Sequence, residues 1–412
     1  MKKFITRVVL SFVLILGLSF NLSAQYTIQG NVYYHDDLSK PMSNTTVSLK
    51  TTSGTSLATA PTDALGYSSF TNIATGTYKL TAVPSLLAGG VNLEDSYLIL
   101  LHLLGLYNLS PIQFIAADVN GSGTVTWSDY FTIVLGWFVY GYPFPAGDWQ
   151  CIGATVVAGL KEGSKINVTS TGDINGTWSP NITKGTEPLK AISYQNQVKA
   201  NAGQLVQIPI YAETATNLNG FAFSLAYPSQ FAIIEDVISD YGKVEFQAND
   251  GELRLVWNDE TAKSITPNPN IPLFSVIARL TDEFNEEDEI VLSILNENQI
   301  LDQNGKLITD YKLKSSAIVW SNTIENSFSI LPNPVNYQSV INLSLQTTSN
   351  VRIDIINAAG QIVSNVINSQ LSAGTHTLNI NELPTIDGLY LYRCAIDNTQ
   401  HELLTGKILV KK

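Results

Sequence analysis

Residues 351–363 read VRIDIINAAGQIV, and this stretch decides the fold class of the chain. Apolar and polar residues alternate up to Ile355, a short turn follows, and apolar residues resume after Gln361. A period of two places every second side chain on one face of a strand, so the pattern predicts a β-hairpin. We expect Gly360 to supply the positive-φ residue of its turn.

Strand-and-turn segments of the same kind surround the hairpin. LPNPV opens the series at residue 331, and LSAGTHTLNINEL, DGLYLYR and GKILVKK follow. These intervals predict a compact antiparallel sandwich over 331–412, preceded by a polar linker at 321–330. The positions that mark the series are Gly360, Gly374, Gly388, Tyr390 and Lys407.

Over its full length this region resembles the C-terminal sorting domain of type IX secretion substrates. The resemblance implies an address: the folded protein crosses the outer membrane, the domain is removed, and the rest is attached to the surface or released. It also implies the type IX secretion machinery as a partner, which would recognise the folded domain and its basic end at Lys407, Lys411 and Lys412. The chain is therefore expected outside the cell or on its outer surface.

The composition agrees with a mainly β, exported protein. Of 412 residues, 44 % are apolar and only 14 % are charged, and the length suits about three to four domains. The formal net charge of −12 argues against nucleic acid and anionic membranes as partners. Residues 1–24 begin with basic residues and continue as an apolar run, which predicts a secretory signal peptide. No later stretch is long and apolar enough to predict a transmembrane span.

Residues 25–83 show short alternating strands between polar turns, which predicts a small antiparallel β-sandwich. The spacing resembles the carboxypeptidase regulatory-like (prealbumin-like) domain, which implies a stalk or spacer rather than a catalytic module. The likeness is carried by Gly30, Val32, Thr62, Asp63, Gly66, Phe70, Asn72, Ile73, Gly76, Tyr78 and Leu80.

Residues 118–129, DVNGSGTVTWSD, have the spacing of a twelve-residue calcium loop. Gly123 permits the sharp turn between oxygen donors at alternate positions. The expected ligands are the side chains of Asp118, Asn120, Ser122 and Asp129 and the backbone carbonyl of Thr124. Two carboxylates predict one Ca²⁺ site of modest affinity, with a Kd of roughly 10⁻⁴–10⁻³ M. The alternative is an Asp/Asn/Gly turn without a metal.

The second half of this loop and its helix are repeated earlier in the chain. Residues 89–101, GGVNLEDSYLILL, align with 123–135, GTVTWSDYFTIVL. The earlier ligand positions are Pro84, Leu86 and Ala88, whose side chains cannot bind a cation. One site is therefore expected to bind calcium and its twin to be inactive.

Tandem loop-then-helix repeats at this spacing resemble a dockerin type I domain, here over 84–149. Both helical segments are apolar nearly all round, so both are expected to be largely buried. The resemblance implies that the two positions before each closing Asp contact a cohesin partner. These positions are Leu93, Glu94, Trp127 and Ser128.

Residues 150–189 are expected to form a β-rich connecting segment. It contains a second loop-like series, DINGTW from Asp173 to Trp178, with Trp178 where a calcium loop needs glycine. A tight turn without a metal is therefore predicted.

Residues 190–320 are strand-rich and resemble cohesins and related carbohydrate-binding sandwiches. The likeness lies in VQIPI (206–210), LNGFAFSLAYP (218–228) and IPLFSVIARL (271–280). It implies a module that binds a protein, binds sugar or acts as a spacer. Trp257 would stack on sugar rings or belong to the core, and the core interpretation is preferred.

No arrangement of residues predicts an active site, so we expect no enzymatic activity. Motifs for a serine nucleophile, a zinc hydrolase or a phosphate loop are absent from the sequence. Cys151 and Cys394 are expected to be buried free thiols, with a disulfide as the alternative. The four histidines are His35, His102, His376 and His401, and no two of them are placed in the sequence as a metal-binding or acid–base pair.

These segments predict a mainly β protein, a string of small antiparallel β-sandwiches with one helical dockerin-like pair of loop–helix repeats. The leading hypothesis is a non-catalytic exported protein, displayed or released through type IX secretion, that acts in adhesion or extracellular assembly. One alternative is a glycan-binding accessory protein of polysaccharide degradation. The other is a self-assembling scaffold in which the dockerin-like pair, of the same or another chain, docks on the cohesin-like sandwich.

Overall fold

The computed structural model describes residues 25–411 apart from short internal gaps. These gaps are residues 161–162, 180–190, 215, 296–297, 322–325, 381–382, 385 and 398–401. The predicted signal peptide, His401 and Lys412 lie outside the described residues. The described residues divide into two compact units. Unit 1 holds those within Met1–Val91, Leu109–Val125 and Pro145–Thr183, and unit 2 holds those within Asn92–Asn108, Thr126–Phe144 and Lys184–Lys412.

Four short helices lie between residues 93 and 139. They are α1 (Leu93–Leu103), α2 (Pro111–Ala117), α3 (Trp127–Phe131) and a π-helix (Thr132–Val139) that continues α3. Helices α1, α3 and the π-helix belong to unit 2, whereas α2 belongs to unit 1. The segment 84–149, predicted to be one domain, is thus divided between the two units. No helix of the described residues is long and apolar enough to cross a membrane.

The described residues of unit 1 form a small β-sandwich of nine strands. They are β1 (Gln25–Tyr34), β2 (Asp37–Pro41), β3 (Thr45–Thr51), β4 (Ser56–Pro61), β5 (Tyr67–Ala74), β6 (Thr77–Pro84), β7 (Trp149–Ile152), β8 (Ala154–Val157) and β9 (Ser164–Ser170). One sheet has the order β2-β1-β9-β7 with β5 on β1, and the other has the order β4-β3-β6-β8. Strands β1 and β9 are parallel, and every other pair in this unit is antiparallel.

The predicted connecting segment 150–189 differs from the structure. Strand β7 pairs with β9, β8 pairs with β6, and β9 pairs with β1. The three strands therefore complete both sheets of the small sandwich. Val32 on β1 and Ile166 on β9 are fully buried in the shared core. The predicted boundary at residue 83 therefore cuts through one core. A strand pattern shows that a strand is half-buried but not which sheet it joins.

Unit 2 contains a large β-sandwich between residues 192 and 320. Its strands are β10 (Ile192–Ala200), β11 (Leu205–Glu213), β12 (Leu218–Ala226), β13 (Ala232–Ile238), β14 (Glu245–Asn249), β15 (Glu252–Asn258), β16 (Phe274–Leu280), β17 (Glu289–Ile290), β18 (Ser293–Ile294), β19 (Gln299–Asp302) and β20 (Lys312–Trp320). One sheet has the order β10-β20-β11-β16-β13 with β17 on β20, and the other has the order β14-β15-β12-β18 with β19 on β12.

Aromatic side chains fill the centre of the large sandwich. The ring of Phe221 on β12 stacks on Trp257 at a centroid distance of 5.4 Å and on Phe274 at 5.6 Å. Trp257 is only 5 % exposed. Its ring is therefore a core element, as the preferred interpretation of the sequence had it, and is not available for stacking on a sugar.

The C-terminal region of unit 2 forms two further sheets. Their strands are β21 (Ser327–Leu331), β22 (Val340–Leu345), β23 (Ser349–Ile356), β24 (Ile362–Leu371), β25 (Gly374–Asn379), β26 (Gly388–Asp397) and β27 (Glu402–Val410). The sheet orders are β21-β22-β25 and β24-β23-β26-β27, with antiparallel pairs throughout. The predicted linker 321–330 runs into β21, so this region begins slightly earlier than the sequence suggested.

The hairpin predicted for residues 351–363 is present as β23 and β24. Val351, Ile353 and Ile355 point into the core and are almost fully buried. In the turn, the side chain of Asn357 accepts hydrogen bonds from the backbone N–H groups of Ala359 (3.0 Å) and Gln361 (2.9 Å). Gly360 has a φ of 80°, which confirms its predicted role.

The DINGTW series of unit 1 forms a tight turn around a buried carboxylate. Asp173 is fully buried, and its side chain accepts hydrogen bonds from the backbone N–H groups of Thr177 (2.9 Å) and Trp178 (2.9 Å). The buried hydroxyl of Tyr34 also donates to it. These three protein donors stabilise the turn.

We expect Asp173→Ala to destabilise the small sandwich by roughly 2–3 kcal/mol, because the buried Tyr34 hydroxyl and two part-buried backbone N–H groups lose a charged acceptor. The measurement is thermal unfolding of the mature chain. Asp63→Ala is the matched control, since the exposed Asp63 side chain accepts two turn N–H groups, from Leu65 and Tyr67, and should cost only about 1 kcal/mol. Equal shifts in Tm for both variants would contradict the argument.

Candidate functional site

Several oxygen atoms of the predicted calcium loop lie close together within residues 118–124, the part of the loop that belongs to unit 1. One carboxylate oxygen of Asp118 accepts a hydrogen bond from Ser122 N (2.9 Å), and the other accepts one from Gly123 N (2.7 Å). The side-chain oxygen of Asn120 also accepts from Ser122 N, and Ser122 Oγ donates to the Thr124 carbonyl at 3.0 Å. A carboxylate, an amide oxygen, a hydroxyl and a carbonyl are the hard donors that Ca²⁺ prefers.

The fifth predicted ligand, Asp129, lies in unit 2 and caps a helix. Its carboxylate accepts hydrogen bonds from Thr126 N (2.9 Å) and Thr126 Oγ1 (3.2 Å) and is fully buried. Asp95 does the same in the first repeat, where it accepts from Asn92 N at 2.8 Å. Capping therefore accounts for an Asp at this position in both repeats. The described residues contain no cluster of three His, Cys, Asp or Glu suited to a metal.

The two predicted contact residues of the first repeat lie on the large sandwich of the same chain. Leu93 is 0 % exposed, and its N–H donates to Oε1 of Gln299 at 2.6 Å. The Glu94 carboxylate accepts from Leu307 N and pairs with Lys306 Nζ, both at 2.9 Å. In this structure both residues contact Gln299, Lys306 and Leu307 of unit 2 itself, and their predicted contact with a separate partner stays a prediction.

Three further side chains of the helices, which the sequence analysis missed, share this contact. Asn219 Nδ2 donates to the hydroxyl of Tyr97 at 3.1 Å, and Asn258 Nδ2 donates to Ser96 Oγ at 3.3 Å. Burial raises the pKa of Tyr130 on α3 to about 12, and a hydrogen bond from Asn258 partly offsets this. Ser96 and Tyr130 are equivalent positions of the two aligned repeats, which is the signal that could have identified them.

The predicted contact residues of the second repeat remain accessible. Trp127 is 41 % exposed, its ring meets Tyr130 edge-on at 5.6 Å, and Ser128 is exposed. Phe131 is 39 % exposed beside them. The two repeats therefore differ, because the first turn of α1 is covered and that of α3 is largely open.

The predicted marker residues of the C-terminal region occupy turns and strand ends. Gly374 and Gly388 begin β25 and β26. Tyr390 donates its hydroxyl to the Ile386 carbonyl at 2.8 Å. Lys407 is exposed on β27, opposite Leu391 of β26.

A buried carboxylate that the sequence analysis missed holds three strands of this region together. Asp354 on β23 is fully buried and accepts hydrogen bonds from Arg393 Nη2 (2.7 Å), Asn365 Nδ2 (2.7 Å) and Arg352 Nε (3.1 Å). Burial alone would raise the pKa of Asp354, but these donors outweigh it and hold the pKa below its ordinary value. An isolated Asp in an alternating strand gives no sign of such a network.

Comparison with known families identifies this region. Residues 329–411 match the model of the secretion system C-terminal sorting domain. The C-terminal region is a type IX secretion sorting domain. The sorting domain directs the protein to the cell surface or to the outside of the cell, as the sequence predicted.

No curated protein is significantly similar to the chain. Solved structures that resemble part of it include cohesins. The sixth cohesin of scaffoldin B from Acetivibrio cellulolyticus, solved with a Cel5 dockerin mutant, is 12 % identical with a TM-score of 0.27, over 32 % of this chain and 99 % of that one. A Coh-OlpC–Doc435 complex from Clostridium thermocellum gives 19 % identity and a TM-score of 0.27 over 34 % of this chain and 100 % of that one. A non-cellulosomal cohesin from Archaeoglobus fulgidus is 19 % identical with a TM-score of 0.26, over 32 % of this chain and 91 % of that one.

Acid should weaken the sorting domain through Asp354. A carboxyl whose folded pKa lies below its unfolded value of about 3.9 contributes stability above that value and loses it as the pH falls through the folded pKa. Asp354→Asn should therefore lower stability by roughly 1–3 kcal/mol at neutral pH and flatten the fall in Tm below about pH 4.

The measurement is Tm of the mature chain as a function of pH. Asp397→Asn is the control, because Asp397 is an exposed carboxylate at the end of the same β26. Its substitution should leave the acid dependence as in the wild type. Parallel pH curves for wild type and Asp354→Asn would show that this network does not carry the acid sensitivity.

Proposed function

We propose that the chain is a non-catalytic exported protein that acts through its surfaces, in adhesion or extracellular assembly. The observation that carries the proposal is the sorting domain at 329–411, which places the protein outside the cell. The three histidines of the described residues lie apart from one another in the sequence, and each bonds to a hydroxyl or a backbone carbonyl. These contacts are His35 to Thr169, His102 to Tyr107 and His376 to Ser372.

Within this role, each module has a proposed task. The small sandwich is a spacer of the carboxypeptidase regulatory-like kind. The loop–helix repeats are a dockerin-like pair, and the large sandwich is the cohesin-like module that receives them. The contacts of Leu93 and Glu94 with Gln299 and Lys306 support this pairing over glycan binding, since the aromatic candidate for sugar stacking, Trp257, is buried.

The export proposal predicts that a chain lacking residues 331–412 stays in the periplasm, because the sorting domain is the part recognised for transport. Cell fractionation with an antibody to the remaining chain measures this. Trp127→Ala in the full-length chain is the control, since it alters an exposed residue outside the deleted region and should be exported normally. Finding the truncated chain at the surface or in the medium would refute the proposal.

We also propose that residues 118–129 bind one Ca²⁺. The convergence of Asp118, Asn120 and Ser122 supports it, as does the positive φ of Gly123 at 85°. These side chains would hold the ion, with the Thr124 carbonyl and Asp129 as further predicted ligands. The bound ion would neutralise the Asp118 carboxylate and stiffen the loop.

Calcium should raise Tm of the mature chain. With about 1 mM Ca²⁺ and a Kd near 0.1 mM, binding to the folded state alone stabilises it by about 1.4 kcal/mol. Asp118→Ala should abolish this rise, whereas Asp63→Ala, which alters an exposed turn carboxylate in the same unit, should keep it. Magnesium at the same concentration serves as the reference ion. The claim fails if calcium does not raise the wild-type Tm.

A further inference from the structure

Two tyrosines are exposed just after the π-helix of unit 2. Tyr140 is 44 % exposed and Tyr142 is 62 % exposed. Their rings stack at a centroid distance of 5.5 Å, with an angle of 21° between the ring planes. The pair keeps a large aromatic area in contact with water, which is a feature of ligand-binding surfaces.

The backbone fixes the position of this ring pair. The N–H of Tyr140 donates to the carbonyl of Leu135 at 2.9 Å, and the N–H of Tyr142 donates to the carbonyl of Gly136 at 2.8 Å. Between them, Gly141 has a φ of 70°, a conformation that ends the helix and turns the chain. Because the rings are held in place before a ligand arrives, stacking on them costs little conformational entropy.

Polar side chains of the β14–β15 hairpin lie beside the rings. A Cβ at Gly141 would collide with Nη1 of Arg254, so this guanidinium lies against the backbone between the two tyrosines. Gln247 of β14 is directly opposite Arg254 of β15, on the same face of the sheet. Among the described residues, Nε of Arg254 has no hydrogen-bond partner, and its nearest carboxylate, Glu252, is 3.7 Å away. The protein therefore leaves part of the donor capacity of Arg254 unused.

The charges at this surface cancel. Lys243 pairs with Glu245 at 2.6 Å, and Arg254 pairs with Glu252 at 3.7 Å. The Glu245 carboxylate and, to a smaller extent, the nearby Tyr140 raise the pKa of Lys243, which places this ion pair beside the rings. Two cations and two anions give the surface no net charge, although the whole chain carries −12. The surface therefore favours an uncharged ligand.

A neutral polysaccharide combines the required properties. The face of a pyranose ring carries C–H groups, which are attracted to the negative face of an aromatic ring, and its edge carries hydroxyls that bond to guanidinium and amide groups. We propose that Tyr140 and Tyr142, with Arg254 and Gln247 beside them, form a binding site for an uncharged polysaccharide. This inference rests on the proposed role in adhesion and names the class of ligand. The site is separate from the buried Trp257.

Affinity electrophoresis of the full-length mature chain tests the site. Each native gel contains one neutral polysaccharide: hydroxyethyl cellulose, mixed-linkage β-glucan, arabinoxylan, galactomannan or starch. We expect at least one of them to slow the wild type. Tyr142→Ala should weaken that binding about tenfold, whereas Tyr142→Phe keeps the ring and should bind within about twofold of the wild type. Arg254→Met removes the donors and should weaken binding roughly three- to tenfold.

Two control variants alter exposed aromatic residues elsewhere in unit 2. Tyr337 of the sorting domain is 72 % exposed, and Trp127 lies at the start of α3. Tyr337→Ala and Trp127→Ala should be slowed as much as the wild type. Because the site has no net charge, about 0.5 M NaCl should leave the retardation unchanged. Polygalacturonate, an anionic polysaccharide, should slow none of the proteins.

Three results would overturn the inference. The first is a wild type that no neutral polysaccharide slows. The second is retardation that persists in Tyr142→Ala, or that is lost in Trp127→Ala, since the sugar would then bind elsewhere. The third is retardation by polygalacturonate alone that disappears in salt. Should Tyr142→Ala lower Tm, Tyr140→Ala is the second variant and should also weaken binding. Export is measured separately in cells, so a failure of the proposed function is distinguishable from a failure of this site.

Discussion

The first turn of α1 is the constraint on which the arrangement of unit 2 depends. Asn92 and Asp95 exchange hydrogen bonds across the helix start, each satisfying a backbone N–H that would otherwise have no partner. This capping box orients Leu93 and Glu94, the two residues between its members, toward β19 and the turn that follows it. The same box opens α3 with Thr126 and Asp129, so one local device sets the direction of both helices.

The cap also explains why a metal-loop pattern is ambiguous when only the sequence is known. A closing Asp three residues after Asn or Thr serves either as a calcium ligand or as the reciprocal member of a capping box. The first repeat has lost its cation ligands and keeps Asp95, which shows that the cap by itself is sufficient reason for that residue. In the second repeat, Asp118 and Asn120 are the residues that distinguish a calcium loop from a cap.

Local chemistry was readable from the sequence, and long-range pairing was not. The hairpin at Gly360 and the two apolar helices follow from spacing over a few residues, whereas Leu93 and Glu94 were named because the repeats resemble a dockerin. The pairing of β7, β8 and β9 with strands far earlier in the chain does not, because strand periodicity carries no information on the partner. Nor does the network of Asp354, since its arginine and asparagine partners come from separate strands. The hydrogen bonds of Asn219 and Asn258 to α1 were missed for the same reason, because both look like ordinary polar strand residues until the sheet brings them together.

The parallel pairing of β1 with β9 has a consequence for how the exported chain matures. Gly30 lies opposite Ser164, and the helices are encoded between them. The first sheet therefore cannot close until the segment carrying α1, α2 and α3 and the strand β9 after it have been synthesised, and such high contact order slows folding. During that interval β1 is a long strand with one unpaired edge, which is the kind of segment that aggregates.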